Sequence, residues 1–210
     1  MNLAAEANWS ALIEETLVYA SELGMVEHDF RVLSILTTWV GIHHGHMNAD
    51  RLVRCVSEHG SPRVRAYWSA IAGWLKKGRR FARLGKLYEG SQVDLLPVET
   101  EFQIARRGED ERFTGSAVRV PAGTLRDRET DVRSPEVLVR RHTGYQNRVL
   151  MGLIWRADLW TELEREPDMS VAEAARRAGC SFSTAWQVVQ DFRLLQGASS
   201  DNGGDSISAL

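Results

Sequence analysis

Three histidines, His43, His44 and His46, fall within four residues, with Asp50 just beyond, and Cys55 and His59 stand four apart. Imidazole, thiolate and carboxylate all ligate zinc, and an i, i+4 spacing brings two side chains to one face of a helix. No H-E-x-x-H accompanies them, and nothing fixes a general base or an open coordination position. A polar loop beside a helix start accounts for the histidines, and no metal is expected. Nucleophilic chemistry has less to rest on. There is no G-x-S-x-G, neither Cys55 nor Cys180 sits in a motif, and neither G-x-x-x-x-G-K-[ST] nor G-x-G-x-x-G occurs. The adjacent carboxylates Glu109, Asp110 and Glu111 fall in an expected turn, where water keeps such groups ordinary. No cofactor and no catalytic activity are expected. The chemistry to look for is binding.

The segment MSVAEAARRAGCSFSTAWQVVQDFRLL, Met169 to Leu195, is where binding residues are held at a defined spacing. Ser170 is placed to cap a short helix, with Glu173 three residues on as its capping-box partner. Ala174 and Ala175 are small enough for a second helix to cross closely. Gly179 ends the first helix where positive φ costs nothing, Cys180 plugs the turn and Ser181 caps the next helix. Ala185, Val188 and Val189 then return to a core at spacings of three and four. Two short helices joined by a tight glycine turn make a helix-turn-helix, whose second helix is sized for a major groove.

Over about twenty residues this segment resembles the headpiece of LacI-type repressors, with A-x3-A-G-x-S-x-x-T appearing as Ala174 through Thr184. Nothing upstream resembles the sugar-binding domain of those repressors, so no inducer follows. The resemblance implies that the first residues of the second helix and one a turn later face the bases: Phe182, Ser183 and Gln187. Gln reads adenine through paired hydrogen bonds. Thr184 and Gln190 would reach phosphates, Ser181 lies at the helix start beside them, and Arg176 and Arg177 stand where backbone contacts occur. From Arg140 to Trp186 the chain also resembles, diffusely, bacterial winged-helix proteins of the antitoxin-like kind.

Phe182 and Trp186 are bulky for a groove-facing surface, and the second helix has few basic residues. Two placements separate the partners. A buried Trp186, with Ser183, Gln187 and Arg177 on a positive face, favours DNA. Both aromatics exposed on a neutral surface favours a protein partner, with the helix-turn-helix used for packing.

A second basic footprint lies between Ser61 and Tyr88, which hold eight cations (Arg63, Arg65, Lys76, Lys77, Arg79, Arg80, Arg83 and Lys86) and no acid. A polyanion could use it, and a solvated helix face explains it equally. NADRLVRCVSEHGSPRVRAYWSAIAGWLKKGRR also reads as helix, stop, capped start and helix. It is either a second reader headed by Arg63 and Arg65 or an ordinary helical hairpin with Trp68, Ile71 and Trp74 in a core.

The elements that must position these residues read as mainly α. Trp9, Leu12, Ile13, Leu17 and Ala20 give a first helix, and Asp29 begins a second through Val40. GIHHGHMN connects to a helix capped by Asn48, and Ser61-Pro62 opens the next with proline at its first position. Glu101–Ile104 and Ala117–Val120 alternate polar and apolar around the charged RRGEDER, which predicts a small β-hairpin, either a wing or a small sheet. TLRDRETDVR is a loop, Ser134 starts a further helix, and Asn147 to Glu164 carries Val149, Leu153, Trp160 and Leu163 on one face. QGASSDNGGDSISAL is read as a disordered tail.

The expected organisation is a helical region over 1–90, hairpin and loop over 91–133, a helix-turn-helix domain over 134–195 and a tail over 196–210. The 210 residues are 43% hydrophobic and 26% charged, with a formal net charge of −2, so a wholly basic nucleic-acid binder is excluded. Two isolated cysteines fit a reducing compartment. The start has neither the basic nor the apolar part of a signal peptide, and no apolar run approaches a membrane span. The expected chain is therefore cytoplasmic, binds double-stranded DNA as a homodimer, has a protein partner as its alternative, and does not engage a membrane. The tryptophan-bearing N-terminal helices are the expected dimer surface.

Overall fold

Helix starts are set by side chains that accept from otherwise unpaired backbone N–H groups. In the computed structural model, which describes residues 12–75 and 79–201, α1 spans Ile13–Met25 and α2 spans Phe30–His43. Asp29 caps α2 by accepting from the N–H groups of Arg31 and Val32 at 3.1 and 3.0 Å. A 3-10 turn, His44–His46, leads to α3, Ala49–Glu58, where Asn48 accepts from the Arg51 N–H at 3.2 Å. Helix α4, Pro62–Leu75, begins with proline, and the short α5 covers Ala82–Gly85.

The chain divides into two compact units, Met1–Leu138 and Val139–Leu210. In the first, α4 is the central helix. Its Val64, Ala66, Tyr67, Trp68, Ala70, Ile71 and Leu75 are all buried, against Leu17, Leu33, Leu36, Val40, Leu52 and Val56 of the helices around it. The polar ends of its aromatics are satisfied: the Trp68 indole N–H donates to Ser21 Oγ at 3.0 Å, and the Tyr67 hydroxyl lies 3.1 Å from Thr37 Oγ1. Leu95, Phe113, Val118, Val120 and Leu125 join the same core. A helix buried on so much of its circumference cannot enter a groove, so the second-reader expectation for α4 gives way to the helical-hairpin alternative. Trp68 likewise belongs to the core and not to a surface, and Trp9 lies outside the described residues.

The expected β-hairpin is corrected. Glu101–Ile104 lies inside helix α6, Thr100–Arg107, and the strand β2, Val118–Arg119, pairs in parallel with β1, Val93–Asp94. Four alternating residues fit one turn of helix as well as a strand, and here nothing pairs with them. The β2 partner is held by chemistry that the alternation does not show: Arg119 forms an ion pair with Asp94 at 2.7 Å. The chain does double back next to the charged turn, with the Asp110 N–H donating to the Val120 carbonyl at 2.8 Å. The architecture is mainly α with a two-stranded parallel sheet.

Helix α7, Pro135–Arg141, is followed by α8, Thr143–Met151, and α9, Trp155–Arg165. The expected single helix over 147–164 is thus two, because the chain breaks at Gly152, whose φ of 86° lies outside the helical region. The break lets α8 fold back on α9. Arg148 and Asp158 form a buried pair at 2.8 Å, and the Asn147 amide donates to Thr161 Oγ1 at 3.1 Å. Helices α10, Val171–Ala178, and α11, Phe182–Asp201, close the unit. Their core is Leu159, Leu163, Met169, Ala174, Ala175, Ala178, Ala185, Val188, Val189 and Phe192. Phe192 meets Trp160 edge to face at 5.2 Å. Helix α11 continues to Asp201, so the expected tail is helical over its first residues, Gln196 to Asp201, and the rest of it lies outside the described residues. No helix among the described residues is long and apolar enough to cross a membrane.

Candidate nucleic-acid interface

The turn between α10 and α11 is built as its residues require. Ser170 Oγ accepts from the Glu173 N–H at 3.2 Å at the start of α10. Gly179 takes the left-handed conformation, φ 64° and ψ 37°, which lets its N–H and that of Cys180 bond back to α10 carbonyls. Ser181 Oγ then accepts from the Thr184 N–H at 3.2 Å and lies 3.0 and 2.9 Å from Ser183 Oγ and Thr184 Oγ1. Ala174, Ala175 and Ala178 of α10 are buried against Ala185, Val188 and Val189 of α11. With no side chain beyond Cβ, the alanines let the two helices approach closely. With α9 as third member, these helices form a closed three-helix core that supports one face of α11.

The opposite face of α11 is bare. Ser183, Gln187, Gln190 and Leu194 recur at spacings of four and three and are exposed, as is Ser181 at the turn; Thr184 is half-buried. Phe182 and Trp186, one turn apart on the flank of that face, are 59% and 50% exposed. The face carries amide, hydroxyl and aromatic groups, with Arg193 exposed beside it.

Arg176 and Arg177 are not the open cations the sequence suggests. Glu173 accepts from Arg176 Nε at 2.9 Å and from Arg177 Nε at 2.7 Å. Arg177 also reaches Glu166 at 3.0 Å and the buried Glu162 at 3.5 Å. The hydrogen bonds from the two guanidinium groups hold the Glu173 carboxyl down at about 2. The capping-box partner of Ser170 is therefore taken up by two arginines three and four residues along, the spacing at which helix neighbours meet. Residues 139–210 hold eight arginines against nine Asp or Glu, so the unit is not a basic surface. Both aromatics are exposed and Arg177 is bound by carboxylates, which is the arrangement that favours a protein partner by the criterion drawn from the sequence.

The second basic footprint belongs to the first unit, and much of it is structural. Arg63 donates to the carbonyls of Met25 at 2.6 Å and Asp94 at 2.9 Å, tying α1 and β1 to α4. Arg65 donates to the His59 carbonyl at 3.0 Å, and Arg80 to the carbonyls of Gly45 and Met47. Arg83 pairs with Asp50 at 3.0 Å, and Arg79 is exposed. Lys76 and Lys77 lie outside the described residues.

The histidines also have structural partners, and Cys55 is partly buried. His43 is buried, with Nε2 2.9 Å from the Arg133 carbonyl, and burial lowers its pKa. His44 Nδ1 lies 3.0 Å from the Gly41 carbonyl, and His59 Nδ1 accepts from the Ser61 N–H. Burial pushes the Cys55 thiol up to about 11, the reverse of what a nucleophile needs. Among the described residues, no group of three or more His, Cys, Asp or Glu is placed to hold a metal.

One cation that the motif did not point to lies beside α11. Arg156, on α9, lines a groove with Thr184 and Gln187 and pairs with Asp191 of α11 at 2.7 Å. The partners are 35 residues apart, so no local pattern announces them. No family model, no curated protein and no solved structure matches this chain.

Proposed function

We propose that the C-terminal unit binds double-stranded DNA, with the first turns of α11 in the major groove, and that the chain is a regulator working by equilibrium binding without turnover, in the cytoplasm. The observation that carries this reading, set against the exposed aromatics and the carboxylate-bound Arg177 that point to a protein partner, is the bare face of α11, braced on its other side by a closed three-helix core and bearing Ser183, Gln187 and Gln190 outward. Gln187 has the donor and acceptor pair that matches adenine, and Phe182 offers apolar contact to a thymine methyl. Few cations stand ready for phosphates on one copy, so the reading includes a homodimer that doubles them and spaces two reading helices one helical turn of DNA apart. A regulator of this kind needs no cofactor.

The test is a binding isotherm on mixed duplex fragments at two salt concentrations, for wild type and for Ser183→Ala/Gln187→Ala. Both side chains are exposed, so the double variant should fold as wild type does. The expected result is salt-sensitive binding by wild type and binding at least tenfold weaker in the variant. Equal binding by the two proteins would remove α11 from the groove.

Exposure of Phe182 and Trp186 favours a second reading, in which this face docks a protein. Exposed aromatics at that spacing suit an interface core. Phe182→Ser/Trp186→Ser separates the two. Loss of DNA binding places the aromatics at the DNA. Retained DNA binding with reduced self-association in sedimentation places them between protein chains.

A further inference from the structure

A groove of about 410 Å3 runs along α11 where it meets the start of α9, with Trp155, Arg156, Thr184, Gln187 and Asp191 among its lining residues. We propose that this groove takes a backbone phosphate of the bound DNA, with Arg156 as the cation and Asp191 as a latch that holds Arg156 while the site is empty. The inference rests on the DNA-binding reading and adds to it the residue that fixes where the backbone runs.

Arg156 Nη1 donates to Asp191 Oδ2 at 2.7 Å, and the two side chains are 40% and 48% exposed. An ion pair that open contributes about 0–1 kcal/mol, so it exchanges readily for a better partner. A guanidinium presents five donors in a planar fork that matches two phosphate oxygens, and one bond to Asp191 leaves most of the fork unused. The Arg156 guanidinium carbon also lies 5.5 Å from the centre of the Trp160 ring, a cation–π distance that adds a second contact. The Thr184 hydroxyl and Gln187 amide on the same groove supply neutral donors. Gln187 also belongs to the outward face of α11, so a phosphate held here would lie next to the bases that face reads. Arg177 is engaged by three carboxylates and Arg176 by both oxygens of Glu173, whereas Arg156 makes one bond to a carboxylate that itself lines the groove.

Asp191 gives the proposal its sign. A phosphate entering the groove meets one favourable and one unfavourable charge, so removing each should move affinity in opposite directions. The experiment measures log Kobs against log salt on one duplex for the full chain, for Arg156→Gln and for Asp191→Asn, with thermal unfolding of each. Arg156→Gln is expected to bind several-fold more weakly on every sequence, with the salt slope reduced by about 1, the signature of one lost phosphate contact. Asp191→Asn is expected to bind several-fold more tightly. An unchanged slope in folded Arg156→Gln, or binding no tighter in Asp191→Asn, overturns the proposal even where wild type binds DNA. Wild type that binds no duplex at any salt overturns the DNA-binding reading first, and this inference with it.

Discussion

At the scale of single residues, the turn between α10 and α11 is held by short-range chemistry, and part of that chemistry occupies the arginines that the DNA-binding proposal would turn to phosphates. Glu173 accepts from both Arg176 and Arg177, and its carboxyl lies at about 2 against an ordinary 4.5. A depressed carboxyl contributes stability that is fully present above its unfolded value. That contribution is lost as pH falls from about 4.5 toward about 2. Carbon-detected titration of Glu173 is expected to give a midpoint near 2 in wild type and one close to the ordinary carboxyl value in Arg176→Ala/Arg177→Ala. A normal midpoint in wild type would mean that the arginines are free of Glu173 in solution. Half of this arrangement could be read from the sequence, since Glu173 precedes Arg176 and Arg177 by three and four positions. The other half could not. Glu162, on α9, and Glu166, just past its end, reach Arg177, and only the packing of α9 on α10 brings them there.

Among elements, what was legible depended on whether the signal was local. Ser170, Gly179 and Ser181 set helix ends within four residues of themselves, so the turn between α10 and α11 could be drawn before its surroundings were known. Asp29 and Asn48 set α2 and α3 in the same way. The hairpin over 101–120 failed because its alternation was only four residues long on each arm. The partner that decided β2, Asp94, lies outside the window that suggested the hairpin. The single helix over 147–164 failed at Gly152, where an apolar periodicity continued across a backbone that does not. The turn itself can be tested directly. Gly179→Ala places a Cβ in the left-handed region, at a cost of about 1–2 kcal/mol, and denaturant unfolding should show a loss of that size. Gly179→Asn, a residue that tolerates this conformation, should lose less. Equal stability of all three proteins would mean that the turn is not held at φ 64°.

For the whole molecule, charge sets the terms. A chain with a net charge of −2 offers DNA no overall electrostatic attraction, and its C-terminal unit carries more acid than base. Recognition would then fall to hydrogen bonds and apolar contacts from α11, with a small number of phosphate contacts to set position. The basic footprint over 61–88 looked like a complement in the sequence, because spacing does not reveal carbonyl partners. Arg63, Arg65 and Arg80 instead hold the first unit together. The central claim is that α11 reads sequence, and the most direct test is to let the full chain select duplexes from a random library. The groove reading expects wild type to enrich one defined motif. It expects Gln187→Ala to lose preference at a single base pair of that motif, by about 1–3 kcal/mol, while keeping the rest. No enriched motif, or the same preferences in both proteins, would contradict it and leave the aromatic face of α11 to a protein partner.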